Sequence, residues 1–173
     1  MKPILIINAG SSSIKFSVFE TAADRSLAPG PHGQVEGVGT SARFEVADAQ
    51  GNQLAARNVA GNNHLAAIQA IHDWFATHAG GEIGFAGIGH RVVHGGSEFS
   101  GPVLIDARVL AALEALIPLA PLHQPHHIAA GNQARFVNPH HLFLADRAAP
   151  FLINQPFLDR IGLLETRLAE DFP

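Results

Sequence analysis

Four aliphatic residues in succession, Ile4 to Ile7, predict a strand buried on both faces. Asn8, Ala9, Gly10 and the serines at 11, 12 and 13 then break the run with turn chemistry. Beyond the turn, Ile14, Phe16 and Val18 alternate with Lys15, Ser17 and Phe19. That period of two returns the chain as a second strand, not a helix. The pattern predicts a β-hairpin whose tip carries an amide, a glycine, three hydroxyls and one ammonium group. Thr21 to Gly39 is rich in Ala, Pro and Gly, has little periodicity, and reads as a loop or an irregular edge. Arg43–Ala47 alternates as a short strand, residues 49–52 form a turn, and Gln53 to Val59 return as a strand. The first sixty residues therefore read as an antiparallel meander.

Helical spacing follows. Gly61-Asn62-Asn63 offers an N-cap, Leu65, Ile68, Ile71, Trp74 and Phe75 share one face, and Gly80-Gly81 ends the helix. Trp74 and Phe75 read as core. Ile88 to His94 predicts a strand closed by Gly95-Gly96, with Arg91 and Val93 on one face and His90, Val92 and His94 on the other. Ser97 to Ile105 reads as a connection. Asp106 caps a helix with Val109, Leu110, Leu113, Leu116 and Ile117 on its apolar face, stopped by Pro118. Pro121 and Pro125 make 119–127 an ordered loop or extended segment. Asn154 and Pro156 open a last helix, with Phe157, Leu158, Ile161, Leu164 and Leu168 on one face.

Composition narrows the function classes. At 173 residues and 47% hydrophobic, the chain can bury a sizeable core. A formal charge of −4 and no basic cluster argue against nucleic acid or an anionic membrane as partner. Without cysteine there is no disulfide and no thiolate zinc site, and a reducing cytoplasm is permitted. The opening apolar run is too short for a signal peptide, and no segment approaches the roughly eighteen apolar residues of a membrane span.

Three groups of residues carry candidate chemistry. The hairpin tip can hold phosphate, because small residues admit a close backbone approach, amides and hydroxyls donate, and Lys15 adds charge. It lacks the spacing of a P-loop and feeds a strand. An ordinary polar turn satisfies the same pattern. Arg91 can grip a carboxylate in a bidentate fork while Val93 faces a methyl group. A solvent-facing arginine beside a core valine fits equally well. Seven of the eleven histidines cluster at 90–94, 123–127 and 140–141 and raise the question of a metal. On a strand, however, His90 and His94 stand roughly 13 Å apart, too far to share one ion.

The motifs also carry a resemblance. N-A-G-S-S-S-I-K at 8–15, G-H-R-V-V-H-G-G at 89–96 and L-A-P-L-H-x-P at 119–125 resemble, in order, three signatures of the acetate kinases. These belong with the sugar kinases, Hsp70 and actin. The resemblance implies an α/β fold, with a ribonuclease-H-like mixed sheet flanked by helices, as the N-terminal domain of an acetate-kinase-like fold. It implies transfer of phosphate from ATP to acetate with Mg2+, in the cytoplasm, by a full-length homodimer. It assigns Asn8 and Arg91 to catalysis and places Asn8 near the magnesium. Ser11, Ser13, Lys15 and His123 hold phosphate, Arg91 binds the carboxylate, and Val93 and Leu122 line the acyl pocket. Gln124 stands where the family usually has Asn, and His126 where a second Pro is common.

The resemblance covers about residues 3–128. This divides the chain into an acetate-kinase-like domain, 1–128, and a divergent tail, 129–173, helical near 155–170. The family's F-D-T-A-F-H motif is absent, and Asp146 is followed by Arg147-Ala148-Ala149-Pro150. Its catalytic role is not carried to Asp146, which reads as a solvated loop residue. Two further readings stand beside the acetate kinase: propionate or butyrate as substrate, and a truncated, non-catalytic half that holds phosphate or acetate without turnover. A histidine-rich metal module ranks last.

Overall fold

The computed structural model of the chain describes residues 2–23, 26–78, 85–92, 96–99, 102–119, 125, 128 and 141–145. Eight strands are present among them: β1 Ile4–Ala9, β2 Ser13–Thr21, β3 Leu27–Glu36, β4 Arg43–Ala47, β5 Gln53–Asn58, β6 Gly87–Val92, β7 Pro102–Leu104 and β8 His141–Ala145. Two helices, α1 His64–His78 and α2 Ala107–Ala115, accompany them. The strands form one mixed sheet in the order β5-β4-β3-β2-β1-β6-β8-β7. β1 to β5 run as an antiparallel meander, while β6 joins β1, and β8 joins β6, in parallel. Parallel neighbours need a crossover, and α1 lies in the connection between β5 and β6.

The opening run is at the centre, as its pattern requires. Ile4 to Ile7 are each 2–4% exposed. Leu5, Ile7 and Ala9 of β1 join Ile14, Phe16 and Val18 of β2, and Phe44 and Val46 of β4, in one cluster beneath Ile68, Ile71, Trp74 and Phe75 of α1. Aromatic rings organise this cluster. Phe16 stacks on Phe44 at 6.0 Å, and Phe75 meets Phe16 edge-on at 5.6 Å. Each such side chain contributes about 1.5–3 kcal/mol by leaving water. A second, smaller cluster gathers Val92, Ile105, Leu113 and Ile128. Helix α2 enters it behind Asp106, whose carboxylate accepts the Val109 N–H at 2.7 Å.

Three expectations are corrected. The stretch 21–39 is not a loop, because β3 occupies ten of its residues. Its Pro29 and Pro31 lie outside the part that pairs with β4, which begins at His32, so their missing N–H groups cost no bond on that side. Gly33 lies where a Cβ would meet the Glu45 carbonyl oxygen and stand 2.7 Å from Phe16 Cζ, which explains a glycine inside a strand. The connection 97–105 contains β7, three residues held by antiparallel pairing to β8. The segment 119–127, read as a loop, is helical at Pro125, as is Ile128 beyond it. His141 to Ala145, for which the pattern predicts no element, form β8, which inserts between β6 and β7. No helix among the described residues is long and apolar enough to cross a membrane.

Candidate functional site

The β1–β2 turn is closed at its base. Ala9 pairs with Ile14, and the Gly10 N–H donates to the Ser13 carbonyl at 2.7 Å. Ser11 and Ser12 stand at the apex, both exposed. The Ser12 carbonyl accepts the Val38 N–H at 2.9 Å, from the β3–β4 turn. The Gly10 carbonyl lies 2.7 Å from His64 Nε2, at the start of α1. A carbonyl only accepts, so His64 carries a proton on Nε2. The carbonyls of Gly10, Ser12 and Ser13 are thus all engaged inside the protein. Among the described residues, the N–H groups and hydroxyls of Ser11 and Ser12 meet no internal partner. A turn with these three carbonyls tied inward and its serine donors left to solvent is suited to an anion.

The other sequence-derived site residues fall into two groups. Asn8, half-buried near the end of β1, pairs with the exposed Lys15 of β2. Ile7 of β1 pairs with His90 of β6, and one step further along both strands come Asn8 and Arg91. Lys15, Asn8 and Arg91 therefore occupy one row across three adjacent strands. The Arg91 side chain, and the whole of Val93, Leu122 and His123, lie outside the described residues, as does His94. Lys15 also borders a groove of about 450 Å3 on the sheet, lined by Ser17, His32, Gln34, Glu45 and Gln53 among others.

His90 is buried, and its Nδ1 lies 3.0 Å from the Ile7 carbonyl, to which it donates. This ties β6 to β1 one residue before Asn8. Among the described residues no three histidine, cysteine or acidic side chains converge on a metal position. Asn8 and the tip serines offer neutral oxygen donors, a set that suits a hard cation arriving on phosphate better than a bare one. Two carboxyls are held below the ordinary aspartate value: Asp48 by the Asn52 side-chain amide in the β4–β5 turn, and Asp73 by Gln69 on α1. Sequence reasoning missed His64. The N-cap at Asn63 was legible, but no periodicity marks the next residue as a partner for a carbonyl 54 positions away.

Comparison with known proteins gives a consistent set of likenesses. The model of the acetokinase family matches residues 3–146. The acetate kinase of Rhizobium meliloti is 42% identical over 142 residues, covering 80% of this chain and 35% of that protein. The acetate kinase of Natranaerobius thermophilus is 39% identical over 174 residues, covering 98% of this chain and 39% of that protein. Among solved structures, a Porphyromonas gingivalis acetate kinase superposes with a TM-score of 0.74 at 25% identity, over 92% of this chain and 43% of its own. A propionate kinase from Francisella tularensis gives 0.72 at 26% identity, over 91% and 43%. The chain spans about a third of the length of the curated relatives it matches.

Proposed function

The chain belongs to the acetokinase family, and from that premise we propose that it forms the phosphate- and acyl-binding side of a carboxylate kinase that converts ATP and acetate to ADP and acetyl phosphate. The observation that carries this reading is the hairpin tip, with the Gly10, Ser12 and Ser13 carbonyls engaged inward and the Ser11 and Ser12 donors open to solvent.

In the reaction, a carboxylate oxygen attacks the terminal phosphorus of ATP. The bond from that phosphorus to the bridging oxygen breaks, and ADP leaves with the electron pair, so no proton needs to move. Catalysis then rests on positioning and charge neutralisation. Ser11, Ser13 and Lys15 hold the phosphates, together with His123. Asn8 stands beside the group in transfer, in the same row as Arg91 on the adjacent strand. Arg91 grips the substrate carboxylate through its planar fork, and Val93 and Leu122 enclose the acyl methyl. Magnesium, entering with ATP near Asn8, supplies further neutralisation when bound. Pairing into a homodimer belongs to the same proposal.

Propionate stands as a second substrate reading, since a propionate kinase is among the structural neighbours; butyrate extends the same series. A non-catalytic phosphate-binding half also remains a reading, because the matches cover only 35% and 39% of the length of the Rhizobium meliloti and Natranaerobius thermophilus relatives.

The test is to trap acyl phosphate with hydroxylamine in the presence of ATP, magnesium and each acid. The 173 residues by themselves are expected to stay below the roughly 1–100 per second of typical kinases. A chimera placing residues 3–146 in the matching segment of the Rhizobium meliloti acetate kinase is expected to turn over acetate. In that chimera Arg91→Ala should raise the acetate requirement and lower turnover, and Arg91→Lys should recover only part, having lost the fork. An inactive but folded chimera, or an unchanged rate with Arg91→Ala, would refute the assignment.

A further inference from the structure

Three loops meet at the hairpin tip and bond to one another in a closed ring. The Val38 N–H, from the β3–β4 turn, donates to the Ser12 carbonyl. The next residue of that turn, Gly39, donates its N–H to the Asn62 carbonyl, in the segment before α1. From the start of α1, His64 donates through Nε2 to the Gly10 carbonyl, which returns to the tip. Two links are backbone to backbone, and His64 is the side chain that completes the circuit.

The supports of the ring are fixed in their own right. Asn63 caps α1 by accepting the Ala66 N–H at 2.8 Å, which seats His64 on the first helical residue. Gly61 has φ +113, and a Cβ there would come within 2.9 Å of the Ala66 Cβ. Gly37 has φ +72, and a Cβ there would meet the Ser41 carbonyl oxygen at 2.5 Å. Both loops therefore take conformations that other residues resist.

The consequence for the tip follows from peptide geometry. The Gly10 carbonyl and the Ser11 N–H belong to one planar trans peptide, so they point in opposite directions. Pinning the carbonyl toward His64 aims the Ser11 N–H away from the protein, where it meets no internal partner among the described residues. The Ser12 carbonyl, pinned by Val38, orients the Ser13 N–H by the same rule. Without the imidazole, the Gly10–Ser11 peptide is free to rotate and present a carbonyl oxygen where an anion would have to sit.

We infer that His64 is a positioning residue for the phosphate-holding tip, acting through the Gly10 carbonyl to keep the Ser11 N–H turned outward; this rests on the phosphate reading of the tip.

The experiment uses the full 173-residue chain, 15N- and 13C-labelled, titrated with inorganic tripolyphosphate. Four proteins are compared: the parent, His64→Ala, His64→Phe and His64→Gln. Glutamine keeps an N–H donor of similar reach, whereas phenylalanine keeps bulk without a donor. Affinity is expected to fall roughly threefold to tenfold in the alanine and phenylalanine variants, the worth of one hydrogen bond. Glutamine should restore it to within about twofold. The Gly10 carbonyl 13C resonance of the ligand-free protein should move in the first two variants and return in the third. A residue that only fills space would let phenylalanine restore binding as well as glutamine does, and that result overturns the inference. Equal affinity in all four proteins overturns it too, while leaving the phosphate reading intact. No binding by the parent overturns the phosphate reading, and the inference with it.

Discussion

The two ends of the sheet are built differently. On the β1–β5 side, α1 closes over a core of stacked and edge-on aromatic rings, and the candidate phosphate residues other than His123 fall between Asn8 and Lys15, within one hairpin. On the β6–β8–β7 side, the core is the smaller cluster of Val92, Ile105, Leu113 and Ile128. The candidate acyl residues are scattered along the chain from Arg91, on β6, to Leu122. Local sequence can therefore specify the phosphate side almost unaided, since a turn of fixed length brings its residues together. Arg91 instead lies on a strand reached by a crossover and flanked by a strand inserted from beyond residue 140.

This contrast can be broken by comparing matched substitutions. The largest effect is expected from Phe44→Ala. Its ring is fully buried, stacks on Phe16 and lies 6.3 Å from Trp74. Denaturant unfolding should show a loss of about 3–5 kcal/mol. Leu113→Ala, on the other side, is also fully buried but sits in the smaller cluster, and should cost about 2–3 kcal/mol. A larger loss at Leu113 than at Phe44 would reverse the ranking of the two cores.

Helix caps sharpen the comparison at smaller scale. Asn63→Ala and Asp106→Ala each remove a side chain that accepts a first-turn N–H, from Ala66 and Val109 respectively. Each should cost about 1 kcal/mol of stability. The two should part on tripolyphosphate binding, because Asn63 seats His64 beneath the tip and Asp106 does not. Equal binding by the two variants would show that the Asn63 cap does not support the tip through His64.

The smallest effect concerns pH. The Asn52 side-chain amide, with backbone N–H groups of the β4–β5 turn, holds the Asp48 carboxyl below its ordinary value of 3.8. A folded value below the unfolded one gives stability that is present above the ordinary aspartate range and is lost as pH falls through the folded value. Asp48→Asn should therefore slightly flatten the acid limb of the unfolding midpoint and leave the neutral region nearly unchanged. The carboxyl is exposed, so solvent screens the effect. A parent and variant with superimposable acid limbs would remove Asp48 from the account.

The same contrast explains what could be read from sequence. Alternation at Ile14, Phe16 and Val18, and the run Ile4–Ile7, announced the central strand pair and its core face. β3 escaped because Pro29, Gly30 and Pro31 suppress any strand signal, although β3 tolerates both prolines where β4 does not reach. β7 and β8 escaped because each is short and exists through pairing with a distant segment. At the site, the serines and Lys15 were legible as donors grouped on a turn. His64 was not, since a hydrogen bond to a backbone carbonyl 54 residues away leaves no mark on hydrophobic pattern or motif.

The claim on which the rest depends is that the hairpin tip receives phosphate through outward-facing donors. The direct measurement is an amide-resolved titration of the unmodified chain with inorganic tripolyphosphate. The Ser11 and Ser12 amides should move first and saturably, followed by Lys15, with α1 and the β4–β5 turn unmoved. Movement confined to His32, Gln34 and Gln53 in the neighbouring groove, with Ser11 and Ser12 unshifted, would contradict the account.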